Sequence, residues 1–308
     1  MELRHLRCFT VLAEELHFTR AAERLHIEQS PLSRSIKELE EDLGVLLFDR
    51  DRRGTKLTQA GSVFLQDVRR VFTTLEQARE NVRAIAAGYH GSLRIAVSDG
   101  AAGPKLSAFL ARCREDSPEV EVRISETPLS EQCHGLRNGS FHLGFAYADE
   151  VGVDIVAEPI WQESLVLAIP SRHPLLAFKS VPLEELARYP LLMCDTNECE
   201  SFNRALQRIL RKIDVEPNVA GTVISKDMMF TLVAAGYGIG FTTATKLAVC
   251  GHLDVISRPL DTDAAFITTY LLRSESHSTP AYLDEFVARL HALTETEDDK
   301  SVPGTSAL

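Results

Sequence analysis

Residues 18–37, Phe18-Thr-Arg-Ala-Ala-Glu-Arg-Leu-His-Ile-Glu-Gln-Ser-Pro-Leu-Ser-Arg-Ser-Ile-Lys37, read as two short helices joined by a tight turn. The first is expected to open at Thr19, whose hydroxyl can cap the free N–H of Ala21 or Ala22. Ala21 and Ala22 are small enough for a second helix to cross closely above them, and Leu25 and Ile27 fill the angle between the two. Ser30 and Pro31 are expected to form an N-cap and first-turn pair, because proline lacks the N–H that is unsatisfied there. Leu32, Ile36, Leu39 and Leu43 then recur at helical spacing as a buried face, and Gly44 is the natural stop. The opposite face carries Gln29, Ser33, Arg34 and Lys37, side-chain types that bond to base edges and phosphates in a major groove.

Helix pairs of this kind also occur in all-α proteins that never touch DNA, and the charge balance does not decide the matter. Residues 1–57 hold 10 Lys/Arg against 11 Asp/Glu, a net of −1, and the whole chain carries −11. A nucleic-acid binder usually shows a basic footprint. Here positive charge is local: Arg34 and Lys37 on the helix, then Arg50, Arg52, Arg53 and Lys56, with Glu38, Glu40, Glu41 and Asp42 placed to face away from a duplex.

The run Leu3–Gly61, with its Ala-Ala pair, Gln-Ser-Pro-Leu-Ser-Arg, Leu-Gly-x-x-Leu-Phe-x-Arg and Leu-Thr-x-x-Gly, resembles the N-terminal domain of LysR-type transcriptional regulators. A weaker likeness continues to about residue 293. The resemblance implies a winged helix-turn-helix in which Gln29, Ser30, Pro31, Ser33 and Arg34 face the groove, while Arg50, Arg52 and Arg53 lie on the wing. With Thr19 and Lys37 these form the candidate DNA-binding set. Glu28 departs from the family, which most often has serine in that turn; a carboxylate there repels phosphate or selects a cytosine amino group.

Three regions follow: a winged helix-turn-helix over residues 1–58, a linker helix over 59–89, and an α/β effector domain over 90–293. By resemblance the last is periplasmic-binding-protein-like, with subdomain I at about 90–161 and 267–293 and subdomain II at about 162–266. Residues 294–308, acidic and then small and polar, read as a disordered tail. Hydrophobic content of 44% and charged content of 25% are ordinary for a soluble protein. The N-terminus shows no signal-peptide pattern and no apolar run approaches membrane-spanning length, so a cytoplasmic protein with no membrane partner is expected. Six scattered cysteines without Cys-x-x-Cys, and ten histidines without ligand spacing, predict neither metal nor cofactor.

From Thr58, a natural cap, to Gly88, a natural stop, one proline-free helix carries Phe64, Val68, Val71, Leu75, Ala78, Val82 and Ile85 in steps of four and three. So narrow a stripe suggests self-association rather than packing on its own domain, and the resemblance implies a dimerisation helix. A dimer presents two recognition helices one or more DNA turns apart. The resemblance extends this to a dimer of dimers on an interrupted palindrome, with RNA polymerase as a further protein partner.

Beyond Gly91 short strands alternate with helices: Leu93–Val97, a helix from Pro104 to about Arg114, Val120–Glu126, a helix opened by Thr127-Pro128, Leu143–Tyr147, similar alternation through 164–260, Phe266–Leu272, and a last helix near 280–293. This is the pattern of parallel sheets with crossover helices, which bind ligands beyond the carboxyl ends of their strands. Ser98, Asp99, Gly100 and Thr127 fall there, hydroxyls beside free N–H groups. In the family a small-molecule effector occupies a cleft between subdomains, and the residues matching its lining are Ser98, Thr127, Ser201, Phe202 and Thr222. Simple helix capping is the competing reading for each hydroxyl. Asp99 disfavours a bare anion, so a polar or mixed-charge effector is expected. His142 stands where the family commonly has aspartate, which alters a local hydrogen bond.

Gly236-Tyr-Gly-Ile-Gly240 suggests a nucleotide loop but follows a helix and precedes a strand, the reverse of the dinucleotide fingerprint. Cys199 resembles in position the peroxide-reactive cysteine of redox-sensing family members, but its neighbourhood through Lys212 offers only Cys194 as a partner. Asp195, Glu198 and Glu200 are expected to raise a thiol pKa there. Redox sensing through Cys199 is therefore the minor alternative. An enzyme is the rival class, since α/β sheets host many chemistries, but no nucleophile elbow, metal cluster or phosphate loop supports it. A solute-binding protein is disfavoured by residues 1–88 and by the lack of an export signal.

Overall fold

The computed structural model describes residues 1–51, 54–98, 101, 103–195, 199–211, 218–262, 265–275 and 281–298, and places them in two compact units, Met1–Glu80 and Asn81–Leu308. The first holds α1 (Leu3–Glu15), α2 (Phe18–Leu25), α3 (Gln29–Leu43), the two-stranded wing β1 (Phe48–Asp51) and β2 (Gly54–Leu57), and most of α4 (Gln59–Ala86). Its core is Leu6, Phe9 and Leu12 of α1, Ala21 and Ala22 of α2, and Leu32, Ile36 and Leu39 of α3, closed by Leu47, Phe48 and Val68.

The helix starts differ from the sequence reading, for packing reasons. Helix α2 begins at Phe18, and His17 rather than Thr19 is the cap, its Nδ1 accepting from the Arg20 N–H at 3.5 Å. That start puts Phe18, Ala21, Ala22 and Leu25 on one face against the core. Helix α3 begins at Gln29 with Glu28 at the cap position, so Ser30 is helical and caps nothing. Pro31 still lies in the first turn, where a missing N–H costs nothing. Leu25 packs as expected, whereas Ile27 is exposed. His26 takes the left-handed conformation (φ +54°) that closes the turn. Gly44 ends α3 with φ +70°.

Glu40, expected to face away from a duplex, does so by being buried. Its Oε1 accepts N–H groups from Leu47 (2.9 Å) and Phe48 (3.1 Å), tying α3 to the start of the wing. Thr58 caps α4, accepting from the Gly61 N–H at 2.9 Å and donating to the Leu46 carbonyl. Gly61 permits this junction, since a Cβ there collides with the Leu47 carbonyl oxygen. The stripe along α4 does not serve a single purpose. Phe64 and Val68 join the core of the first unit, while Val71, Leu75, Ala78, Val82 and Ile85 are exposed.

The second unit contains β3 (Gly91–Val97), α5 (Pro104–Asp116), β4 (Val120–Glu126), α6 (Leu129–Asn138), β5 (Leu143–Ala146), β6 (Ile155–Pro170), β7 (Leu191–Cys194), α7 (Glu200–Arg211), β8 (Val219–Val223), α8 (Lys226–Ala234), β9 (Ile239–Thr243), α9 (Ala244–Cys250), β10 (Val255–Pro259), β11 (Phe266–Ser274) and α10 (Ala281–Asp298). Strand order is β4-β3-β5-β11-β6-β9-β7-β8, with β10 also on β6. The sheet is mixed rather than parallel. Strands joined by crossover helices, β3 with β4 and β5, and β7 with β8 and β9, are parallel. The long strands β6 and β11 run antiparallel to their neighbours because they carry the chain between the two halves. Strand β6 pairs with β11 through Ser164 and with β9 from Leu165 onward.

Two further expectations are corrected. Thr127 does not cap α6, which starts at Leu129 after Pro128, and its Oγ1 has no hydrogen-bond partner among the described residues. Helix α10 continues to Asp298, so 294–298 are helical, and the rest of the expected tail lies outside the described residues. Gly236 (φ +82°) makes the α8-to-β9 turn, as the sequence predicts. Among the described residues no helix is long and apolar enough to cross a membrane.

Candidate nucleic-acid interface and ligand cleft

Helix α3 owes its buried face to Leu32, Ile36 and Leu39, and that face fixes what points outward. Gln29, Ser30, Pro31, Arg34 and Lys37 are exposed, and Ser33 is half-buried. Thr19 is exposed beside them, its hydroxyl 3.5 Å from Gln29 Oε1. Arg34 forms no ion pair among the described residues, and Lys37 meets only Glu41 at 3.5 Å, an exposed pair worth about 0.3–0.5 kcal/mol. Three other cations are engaged: Arg24 by Glu14 (2.8 Å) and Glu15 (3.0 Å), Arg20 by Glu15, and Arg69 by Glu14. With Glu38 beside His5 and Glu40 buried, much of the acidic charge is spent inside the unit. A net-acidic module thus still presents a cationic reading edge. The Arg50 side chain, Arg52 and Arg53 lie outside the described residues; β1 and β2 pair as a two-stranded wing.

In the second unit Ser98 and Thr127 come together. They follow the paired ends of β3 and β4, where Val97 lies opposite Glu126. Ser98 is fully buried, its N–H bonded to the Phe145 carbonyl, yet its Oγ has no partner among the described residues. Ser201 and Phe202 lie buried in the first turn of α7. The Phe202 ring meets Tyr147, at the end of β5, edge-on at 6.0 Å, and the Lys226 ammonium stands 3.5 Å over its face. Thr222 is exposed on the edge strand β8 opposite Met193, and no described contact joins it to the others. Asp99 and Gly100 lie outside the described residues.

Two bridges join the two halves here, between residues too distant in sequence to leave a local signal. Glu200 accepts the Ser130 N–H at 2.9 Å, and Arg208 pairs with Asp149 at 2.8 Å. Burial is the largest influence on Asp149 and opposes its charge, but the hydrogen bond and charge of Arg208, a backbone N–H and the Tyr270 hydroxyl together outweigh it and hold the carboxyl below its ordinary range. A cavity of about 360 Å³ lies beside the crossover strand, lined by Gly103, Pro104 and Ser107 of α5 and its cap, Glu163 of β6, and Thr243, Thr245, Lys246 and Val249 around α9. None of the sequence-predicted ligand residues lines it.

Cys194 and Cys199 are both buried, and the Cys199 side chain hydrogen-bonds Cys194. That bond lowers the Cys194 thiol; burial opposes it and the Lys226 ammonium assists, bringing the group to about 6. Of the carboxylates expected to raise the Cys199 thiol, Glu200 is turned to Ser130 and Arg204. His142 is held neutral: burial, then the charge of Arg94, lower it to about 4. Its Nε2 lies 2.7 Å from the Arg94 guanidinium, which also donates to the carbonyls of Gly139 and Ser140.

Residues 3–62 match the bacterial regulatory helix-turn-helix protein, lysR family, and residues 86–294 match the LysR substrate binding domain. The chain is 31% identical over 283 residues to the HTH-type transcriptional regulator AlsR of Bacillus subtilis, covering 90% of this chain and 92% of that protein. It is 30% identical over 300 residues to BenM of Acinetobacter baylyi, covering 95% and 97%. Among solved structures, full-length CbnR complexed with its target DNA superposes with a TM-score of 0.72 at 27% identity, covering 95% of this chain and all of that one. The protein belongs to the LysR family of transcriptional regulators and, like its named relatives, is a regulator rather than an enzyme.

Proposed function

We propose that the protein reads duplex DNA with α3 and the wing, self-associates through the exposed part of α4 as a dimer or tetramer, and senses a small polar effector between subdomain I (about 90–161 and 267–293) and subdomain II (about 162–266). Effector occupancy changes DNA binding or bending, in the cytoplasm and with RNA polymerase as the downstream partner. The carrying observation is the Ser98 hydroxyl, fully buried at a strand end beside Thr127 and lacking a hydrogen-bond partner among the described residues. A buried hydroxyl without a partner costs about 1–3 kcal/mol, a deficit that a ligand oxygen or nitrogen removes. The reading of α3 is supported by the free Arg34 and by CbnR, whose structure was solved on target DNA.

Fluorescence anisotropy with DNA from upstream of the coding sequence, across a metabolite panel, tests both halves. Arg34→Ala is expected to lose about 1–3 kcal/mol of sequence-specific binding. Ser98→Ala is expected to leave DNA affinity intact and abolish the metabolite response. An intact response in Ser98→Ala and Thr127→Ala displaces the site from these residues.

A second reading, redox sensing through Cys199, is favoured by its hydrogen bond to Cys194 beside Lys226. Hydrogen peroxide takes the two thiols to a disulfide: two electrons and two protons pass to the peroxide, which leaves as two waters. Mass spectrometry after peroxide treatment checks this; unchanged masses for the peptides carrying both cysteines exclude it.

A further inference from the structure

The cavity at the crossover strand is lined by one carboxylate, Glu163, and one ammonium, Lys246. Among the described residues neither side chain has a hydrogen-bond or ion-pair partner, and the two do not pair with each other across the space. The remaining lining is Gly103, the hydroxyl-bearing Ser107, Thr243 and Thr245, and the apolar surfaces of Pro104 and Val249. Thr243 is buried at the end of β9, and Lys246 lies one turn into α9, held by a bond from its N–H to the Thr243 hydroxyl. Glu163 is half-buried one residue before β6 exchanges β11 for β9, and its carboxylate faces the start of α5: a Cβ on Gly103 lies 4.0 Å from Glu163 Oε1.

We infer that this cavity is a second small-molecule site, separate from Ser98 and Thr127, and that it takes a small aliphatic zwitterion of amino-acid size. Two opposite charges facing one concave space select a ligand that carries both complements. A simple carboxylate answers Lys246 but lies beside the bare Glu163, and a simple amine does the reverse, so each singly charged molecule meets one like charge. A volume of about 360 Å³ falls at the lower end of the range for small-molecule pockets. Pro104 and Val249 supply apolar contact for a short aliphatic side chain, and the hydroxyls of Ser107 and Thr243 can complete the hydrogen bonds of the ligand's two ends. A ligand here touches α5, which follows β3 in one half, and α9, which follows β9 in the other, across the strand that joins them. Its binding therefore bears on how the halves close.

The test uses the full-length protein and isothermal titration with glycine, L-alanine, L-valine and L-norvaline, with isovalerate and isobutylamine as singly charged counterparts of valine. At least one amino acid is expected to bind, with both counterparts weaker by tenfold or more. Glu163→Gln and Lys246→Gln are each expected to weaken that binding by tenfold or more, and Ser98→Ala to leave it unchanged. Photoactivated labelling with the diazirine analogue of leucine, read by peptide mass spectrometry, is expected to mark 103–107 or 243–249, independently of any variant. The inference is overturned by absence of amino-acid binding at millimolar concentration, by equal binding of the singly charged counterparts, by indifference to both charge substitutions, or by label confined to other peptides. Loss of binding in Ser98→Ala also overturns it, by placing the ligand in the cleft proposed above; loss of the metabolite response alone in that variant leaves it standing.

Discussion

Removal of the Glu40 carboxylate is expected to loosen the junction between the reading helix and the wing. In the native structure a single buried oxygen accepts two backbone N–H groups, from Leu47 at 2.9 Å and Phe48 at 3.1 Å, and Phe48 is itself in the core. Glu40→Ala leaves both donors buried and unsatisfied. Each orphan costs about 1–3 kcal/mol, and partial entry of water into the vacated space reduces the sum to roughly 2–4 kcal/mol. Glu40→Gln keeps a carbonyl oxygen in place and loses only the charge assistance, about 1 kcal/mol. Since the chain has two units, a single global melt does not report this cleanly. Hydrogen exchange in the first unit does: at 1.4 kcal/mol per decade, protection at Leu47, Phe48 and the core of α3 is expected to fall roughly 30- to 700-fold in Glu40→Ala. DNA affinity falls with it, and amides of the second unit are unaffected. A Glu40→Ala protein whose α3 amides exchange within threefold of the wild type refutes the reasoning, since the two N–H groups then have an alternative partner.

Two other expectations follow from features already described. Replacing Val71 and Leu75 together with glutamate is expected to yield monomers in sedimentation velocity without lowering the stability of the first unit, because both side chains point away from its core; assembly that survives the change moves the interface off α4. His142, lowered to about 4 from an ordinary 6.5, binds its proton more readily in the unfolded chain, so its contribution to the second unit's stability is complete above about pH 6.5 and is lost as pH falls through 4. Urea titrations from pH 7 to 4 are expected to show a steeper loss for the wild type than for His142→Asn, and parallel curves exclude the effect.

Much of the first unit was legible because its residues obey one period at a time. Leu32, Ile36 and Leu39 mark the inner face of α3, and the reading face follows by subtraction. Cap positions were misplaced by two residues, at Thr19 and Ser30, because a hydroxyl followed by a helical pattern is a local signal, while the start of each helix is set by where Phe18 and Leu32 must pack. Glu40 was hidden for the opposite reason: nothing local marks a carboxylate whose partners lie seven and eight residues further on. The direction of β6 and β11 could not be read either. An apolar strand has the same pattern whether its neighbour runs with it or against it, and the sixteen-residue span of β6, which serves both halves, emerges only in the structure. Ser98 and Thr127 were found from their places at strand ends, whereas Lys226, Tyr147, Glu163 and Lys246 meet their surroundings only through tertiary folding. The α4 stripe shows the same limit: its even spacing conceals that Phe64 and Val68 are already committed to the first unit.

That commitment makes α4 a shank rather than a tether. Its early turns are wedged among Phe9, Leu39 and Phe48, and the same uninterrupted rod carries Val71 and Leu75 outward. The angular phase between the DNA-reading module and whatever grips those later turns is thereby written in residue count. A single residue inserted between Val68 and Val71 turns the outer grip by about 100° while leaving the inner wedge seated, so the register of two modules along a duplex is held by chain arithmetic.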